Sequence, residues 1–322
     1  MRALVLGGGG AKGAYQVGAL RHLLIERGLQ YPIVAGTSVG ALNGAYLAMF
    51  PVGGESEAAS SLVSLWRSID NRRVWRKWYG GLLGRLPVLL PKKLGGKQSA
   101  YSTAPLRKLV AERFDPAAVR ASGRILRIGA VDLATGERKE WTEADTDELP
   151  QAVLASSSFP MFFEPVRMGR HLFTDDGVRE ISPVQAAIEA GATEVDVIST
   201  NPDPLPGGFD LDANGLVLGQ RILDTMSAEI EKWDLKATWL YNALARAGQT
   251  DRRLVRGRVL RPSSTLLDDA LDFDPAKIRE NMGRGEADAK DPSAWLPLHE
   301  DPGDATGDRT SGAMDREHPE QA

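Results

Sequence analysis

The chain has 322 residues, 42% of them hydrophobic and 25% charged, which is enough apolar material for one large or two modest buried cores. It holds no cysteine and only four scattered histidines (His22, His171, His299 and His318), so disulfides and thiolate metal sites are excluded and no metal is expected. No window approaches the roughly 18 to 20 apolar residues of a membrane span, and MRALVL runs into glycine rather than into a signal region, so a cytoplasmic location is expected, with any membrane contact peripheral. The net charge of −4 is segregated: residues 71–111 carry ten Lys or Arg and no acid, which leaves −14 on the remainder.

In chain order, residues 2–6 read as a strand, 7–13 as a glycine loop (GGGGAKG), 13–27 as a helix, 32–36 as a strand and 39–48 as a helix. Short apolar strands alternating with helices of ten or more residues predict an α/β fold with a mostly parallel sheet. A helix is expected at 55–68, followed by the basic segment, where GGLLGRLPVLLPKKLGG denies a long helix. Strands follow at 124–133 and 138–141, joined by a turn at ATGE. Then come a short helix at 150–158, the loop SFPMFFEPV, a strand at 171–174 ending in DDG, a helix at 183–190 and a strand at 194–200. A long amphipathic helix, with or without a break, is expected over 216–247, and a last strand over 253–261. Beyond 298 the composition is almost free of apolar residues and predicts disorder.

Gly8, Gly10 and Gly13 fit GxGxxG between a strand and a helix. Bare glycines let backbone N–H groups at a helix N-terminus converge on a negative charge, which can be a phosphate or a transient oxyanion. A dinucleotide site wants an acidic residue at the end of the second strand, and YPIVAG has none. A Walker loop fails because Gly13, not Ser or Thr, follows Lys12. The second strand instead runs into GTSVGAL, where Gly36, Ser38 and Gly40 form GxSxG in the strand-to-helix setting of a nucleophile elbow. The plain structural alternative is a helix N-cap serine. No histidine stands where an α/β-hydrolase triad would place one, whereas Asp176, at a strand end beside Gly177, can approach another loop. Asp175 and Asp176 can equally be ordinary turn residues.

Taken together, the glycine loop, GTSxGA about 25 residues later and ASSSFPMFFEP with DG far downstream resemble the patatin-like phospholipase family over residues 1–190. The resemblance implies a three-layer α/β sandwich and a lipid acyl hydrolase of the Ser-Asp dyad type, without metal or cofactor. It implies Ser38 as nucleophile, Asp176 as base, and the amides of Gly8, Gly9 and Gly10 as the oxyanion hole, with Gly13, Gly36, Gly40 and Gly177 supporting the turns. Many members have Gly or Ala after DG where this chain has Val178, so Asp175 stands as the fallback base. Lys12 matches the basic residue of the family loop; it either biases the field toward the oxyanion or is an exposed cation.

On this reading the catalytic core is 1–190, with 71–111 as a basic, hydrophobic cap, 191–298 completing the fold and 299–322 a disordered tail. Between Arg72 and Lys108 the cations interleave with tryptophans and leucines, a composition suited to an anionic bilayer interface. A helical subdomain with solvated charges is the alternative, and nucleic acid is not expected as a partner. Phe159, Met161, Phe162 and Phe163 either line an acyl-chain site or are core. A nucleotide-binding protein using GxGxxG, and a membrane-associated regulator with a vestigial site, are the rival functions. The lipid substrate, the cleaved position and the oligomeric state are not specified by the sequence.

Overall fold

The computed structural model describes residues 1–78, 98–205, 207, 215–249, 254–267 and 269–298. The chain opens with β1 (Arg2–Leu6), α1 (Gly13–Arg21), β2 (Ile33–Gly36), α2 (Val39–Ala48), α3 (Glu55–Arg67), α4 (Asn71–Val74), β3 (Arg76–Lys77) and β4 (Tyr101–Ser102). It continues through α5 (Ala104–Arg113), α6 (Pro116–Ala121), β5 (Ile125–Asp132), β6 (Arg138–Thr142), α7 (Leu149–Ser156), β7 (Val166–Met168), β8 (His171–Asp175) and α8 (Val184–Glu189). The last elements are β9 (Glu194–Ile198), α9 (Gly215–Arg246), β10 (Arg256–Leu260), α10 (Pro275–Lys290) and β11 (Trp295–Pro297).

The main sheet runs β11-β10-β9-β1-β2-β5-β8-β7, with β6 paired to β5. Its spine from β10 to β5 is parallel, while β6, β7, β8 and β11 join antiparallel. Alternate residues of the central strands face opposite layers, as a pleated strand requires. Leu4, Leu6 and Val34 pack with α1, α2 and α10, while Ala3, Val5, Ile33 and Ala35 pack with α8 and with Leu235 of α9. Helices on both faces of the sheet make three layers. Strands beyond residue 190 (β9 and β10) hydrogen-bond directly into the sheet that β1 centres.

Several elements depart from the sequence expectation. The first helix closes at Arg21 and continues as a wider π turn over His22–Glu26, whereas α9 matches the helix expected over 216–247 and is unbroken across its 32 residues. The helices α5 and α6 and the 16-residue α10 were not anticipated. α10 has few apolar residues, yet Ile278, Met282 and Ala289 are buried, and its Asp288 accepts the Tyr15 hydroxyl of α1 at 2.8 Å. The expected disorder of 299–322 and the middle of the basic segment, 79–97, fall outside the described residues.

One register relationship positions the site. β2 and β8 lie on the same edge of β5, because β6 pairs with the other edge over residues 127–131. β2 ends with Gly36 opposite Ile128, and β8 enters antiparallel from beyond, ending with Asp175 opposite Ala130. The C-terminal ends of the two strands therefore meet almost head to head.

Candidate active site

The turn from β2 into α2 holds Ser38 at φ 57° and ψ −123°, a conformation that side chains rarely adopt and that the surroundings must enforce. The flanking glycines are sterically required: a Cβ on Gly40 would lie 2.0 Å from the Leu6 carbonyl oxygen, and one on Gly36 would lie 2.3 Å from that of Gly40. Ser38 stands at the N-cap position of α2, but its side chain makes no capping bond to the helix. The end of α7 clamps the turn on both sides. Ser38 N–H donates to Ser156 Oγ at 3.1 Å, and Ser157 Oγ donates to the Ser38 carbonyl at 3.0 Å. These two serines stood in ASSSF without an assigned task; nothing local in the sequence links them to residue 38.

Ser38 Oγ donates to Asp175 Oδ2 at 2.7 Å. The carboxylate brought to Ser38 is thus that of Asp175, the fallback, and not that of the expected Asp176. Asp175 is the last residue of β8, and its other oxygen, Oδ1, accepts the Gly177 N–H at 2.8 Å, so both carboxylate oxygens are held. Asp176 begins the following 3-10 turn and faces away, where Arg138 Nε donates to both of its oxygens at 3.0 Å. Arg138 also meets Glu180 at 2.9 Å and Glu140 at 3.1 Å, so the buried Asp176 belongs to a partly exposed ionic cluster.

Burial dominates the electrostatics. It pushes the Asp175 carboxyl up to about 7, against the opposing hydrogen bonds from Gly177 N–H and Ser38. Burial likewise raises Asp176 to about 7 despite the opposing Arg138 charge. Burial works against the Arg138 charge too, but Asp176, Glu180 and Glu140 outweigh it and hold the guanidinium above its ordinary value. A carboxyl poised near neutrality and bonded to a hydroxyl is suited to accepting a proton from it.

The glycine loop lies against the same serine. A Cβ on Gly8 would sit 3.4 Å from Ser38 Cβ, and Gly8, Gly9, Gly10 and Ser38 border one cavity. The Gly8 N–H, however, donates to the Ile181 carbonyl at 3.1 Å, so this amide is spent on structure. Among the described residues the N–H groups of Gly9 and Gly10 have no acceptor. Gly9 sits at φ 153°, where a Cβ would fall 2.0 Å from Thr200 Oγ1, so no other residue fits. Gln16 Nε2 fixes the loop by donating to the Gly7 carbonyl at 2.7 Å, and Ala11 N–H does so by donating to the Ala270 carbonyl at 2.7 Å. Gly13 lets α1 start against Val39, 2.4 Å from where a Cβ would stand. Lys12 is buried rather than an exposed loop cation, its Nζ donating to Asn201 Oδ1 at 3.2 Å, with Asp224 3.8 Å away.

From this polar corner opens a cavity of about 190 Å³, walled chiefly by apolar side chains including Leu62, Leu106, Val110, Phe159, Phe163 and Met226. Part of the aromatic loop therefore lines the cavity, with Phe159 stacked on Phe162 at 5.5 Å. The described ends of the basic segment form another wall through Val74 and Leu106. Its tryptophans are engaged internally: Trp75 lies 4.5 Å from Tyr101 and donates to the Leu271 carbonyl, and Trp78 donates to that of Ser99. Arg72, Arg73, Arg76, Lys77, Arg107 and Lys108 are exposed. His22 and His171 are remote from the cavity, bonded to Glu26 and Asp132 respectively. No group of three or more His, Asp or Glu among the described residues could hold a metal ion.

The model of the patatin-like phospholipase family matches residues 4–188, more than half of the chain. YqhO, an uncharacterized protein of Bacillus subtilis, is 28% identical over 196 residues, 56% of this chain and 64% of its own length. Lysophospholipase nte1 of Aspergillus terreus is 45% identical over 69 residues, 20% of this chain and 4% of that protein. Patatin-like phospholipase domain-containing protein 7 of Rattus norvegicus is 59% identical over 46 residues, 14% of this chain and 3% of its own. The matches thus span less than two thirds of YqhO and only small parts of the other two. Among solved structures, VipD from Legionella pneumophila is similar with a TM-score of 0.43 and 13% identity, over 92% of this chain and 67% of that one.

Proposed function

Because the chain belongs to the patatin-like phospholipase family, we propose that it hydrolyses acyl esters of lipids, with Ser38 as nucleophile and Asp175 as the base that activates it. The observation that carries the reading is the 2.7 Å hydrogen bond from Ser38 Oγ to a buried carboxylate, both bordering an apolar cavity. The ionised Asp175 takes the Ser38 proton as Oγ attacks the ester carbonyl, and the carbonyl electron pair moves onto oxygen. The free amides of Gly9 and Gly10 are the donors assigned to that oxyanion, with Gly8 backing the serine. Collapse breaks the ester bond, the alkoxide leaves with the proton held by Asp175, and the acyl group stays on Ser38. Water then gives a proton to Asp175 and attacks the acyl carbonyl, which frees the fatty acid and restores the serine.

The apolar walls suit a fatty acyl chain, and phospholipids or lysophospholipids are the proposed substrates. The exposed cations at 72–77 and 107–108 are proposed to meet anionic headgroups beside the cavity. The test is fatty-acid release from lysophosphatidylcholine micelles and from phosphatidylglycerol vesicles. Release by the full chain and none above background by Ser38→Ala is expected. Undiminished release by Ser38→Ala, or no release from any phospholipid, lysophospholipid or monoacylglycerol, would overturn the reading and favour a regulator with a vestigial site.

A further inference from the structure

α9 is amphipathic in the reverse of the usual sense. A helix on a globular domain turns its apolar face inward and its polar face to water. Here Glu231, Thr238 and Asn242 are buried together with Leu235, and Asp234 is turned in, its Oδ2 accepting the backbone N–H groups of Ile181 and Ser182 at 2.7 and 2.9 Å. Glu231 accepts the hydroxyls of Ser182 and Ser199 at 2.8 and 2.9 Å, and Asn242 exchanges two hydrogen bonds with the Val255 backbone. The inward face is thus anchored by polar contacts.

The outward face carries Leu218, Ile222, Met226, Trp233 and Leu240, exposed by 47, 52, 55, 63 and 53%. At about 100° of turn per residue these five fall within roughly 80° of helix circumference, and at 1.5 Å per residue they extend over about 33 Å. Five large apolar side chains aligned over that length, with Glu229 and Lys236 set among them, make a docking surface rather than scattered exposure.

We propose that this stripe is the surface by which the protein lies on a phospholipid bilayer, in a plane that sets the mouth of the cavity against the lipid. The proposal rests on the lipid-hydrolase reading of the site, and three observations choose the occupant. The stripe is continuous with the cavity, because Met226 belongs to both while Leu223 and Ile230 of the same helix line the cavity wall. Trp233 has the setting of an interfacial tryptophan, its ring beneath the Lys236 ammonium at 4.6 Å and its indole N–H on Glu229 at 3.0 Å, which gives an apolar body and a polar rim. Lys236, within the stripe, and Lys232, at its margin, have stems long enough to raise their charges to headgroup level. No helix among the described residues is long and apolar enough to cross a membrane, so α9 lies in the interface plane.

The test is sedimentation of the full chain with phosphatidylcholine vesicles, with and without added phosphatidylglycerol, in a Ser38→Ala background that leaves the lipid intact. The variant Ile222→Ser/Trp233→Gln/Leu240→Ser changes three residues that do not line the cavity. Vesicle partitioning is expected to fall at least about tenfold in this variant. With Ser38 restored, the same triple substitution is expected to leave hydrolysis of a soluble short-chain ester unchanged. Unchanged partitioning of the triple variant would overturn the proposal. So would a wild-type dimer in solution that the triple substitution converts to monomer without altering vesicle binding, since the face would then join two copies. A wild-type protein that hydrolyses nothing but sediments through these residues would fail the lipid-hydrolase reading and still support the surface.

Discussion

Asp175 and Asp176 are adjacent in sequence and both buried, yet one accepts the hydroxyl of Ser38 at 2.7 Å while the other is held by Arg138 at 3.0 Å. On the proposed mechanism, their exchange for asparagine separates the base from a carboxylate that only supports the fold. Asp175→Asn preserves the local shape, because its amide oxygen can accept the Gly177 N–H and its NH2 can face Ser38 Oγ, but it cannot take the serine proton. Turnover is expected to fall about 10²- to 10⁴-fold. Asp176→Asn removes a charged partner of the half-buried Arg138 guanidinium and is expected to cost about 1–3 kcal/mol of stability with turnover largely kept. Urea unfolding and ester hydrolysis on both variants check the pair.

Both pH profiles follow from the same buried carboxyls. The base must be ionised, so kcat/KM is expected to fall as pH drops through about 7, the value to which burial raises Asp175. Stability runs the other way. A carboxyl raised from 3.8 to about 7 binds its proton more tightly in the folded state, so its contribution is complete below about pH 4 and is lost as pH rises through 7. Asp176, also raised to about 7, and Asp234, raised by burial to about 8, add in the same direction. Activity should therefore climb while the melting temperature declines between about pH 4 and 8. Asp175→Asn, by removing a buried charge, should be the more stable protein at pH 8 by roughly 2–4 kcal/mol. Melting curves across this range test the sign.

The glycine loop gives a graded prediction. Gly9→Ala places a methyl group on Thr200 Oγ1 and moves a free amide, so turnover is expected to fall about 10²- to 10³-fold. Gly8→Ala meets Ser38 only at ordinary contact distance and keeps its bond to Ile181, so its loss should be much smaller. Equal losses in the two variants, measured by steady-state kinetics with circular dichroism to confirm folding, would contradict the assignment of donors.

The cavity predicts a chain-length preference. Val110 of α5 is buried and lines its wall, and Val110→Trp fills part of about 190 Å³. The preferred acyl chain of a lysophospholipid series should shorten, with short-chain turnover unchanged. An unaltered preference would place the acyl chain elsewhere.

Much of this arrangement was legible in the sequence because it is local. GxSxG between an apolar strand and a small-residue helix dictates the Ser38 turn, and GGGGAKG after β1 dictates a tight glycine loop against it, in which only the Gly9 and Gly10 amides have no acceptor among the described residues. The choice between Asp175 and Asp176 was not legible, since it depends on where β8 ends against β5 and on Arg138, 38 residues away. The loss of the Gly8 amide to Ile181 and the clamp by Ser156 and Ser157 are likewise tertiary events without a local signature. α9 was legible as a helix, but its orientation was not, because periodicity reports two faces and the hydrogen bonds of Glu231 and Asp234 decide which one turns inward. α10 escaped because three buried apolar residues in sixteen leave little periodic signal.

The most direct measurement is labelling of the intact protein with a fluorophosphonate, the adduct located by peptide mass, in wild type, Asp175→Asn and Asp176→Asn. The account predicts one adduct, on Ser38, which is lost in Asp175→Asn and retained in Asp176→Asn. An adduct that persists in Asp175→Asn and disappears in Asp176→Asn, or no adduct on Ser38 even with vesicles present, would contradict it.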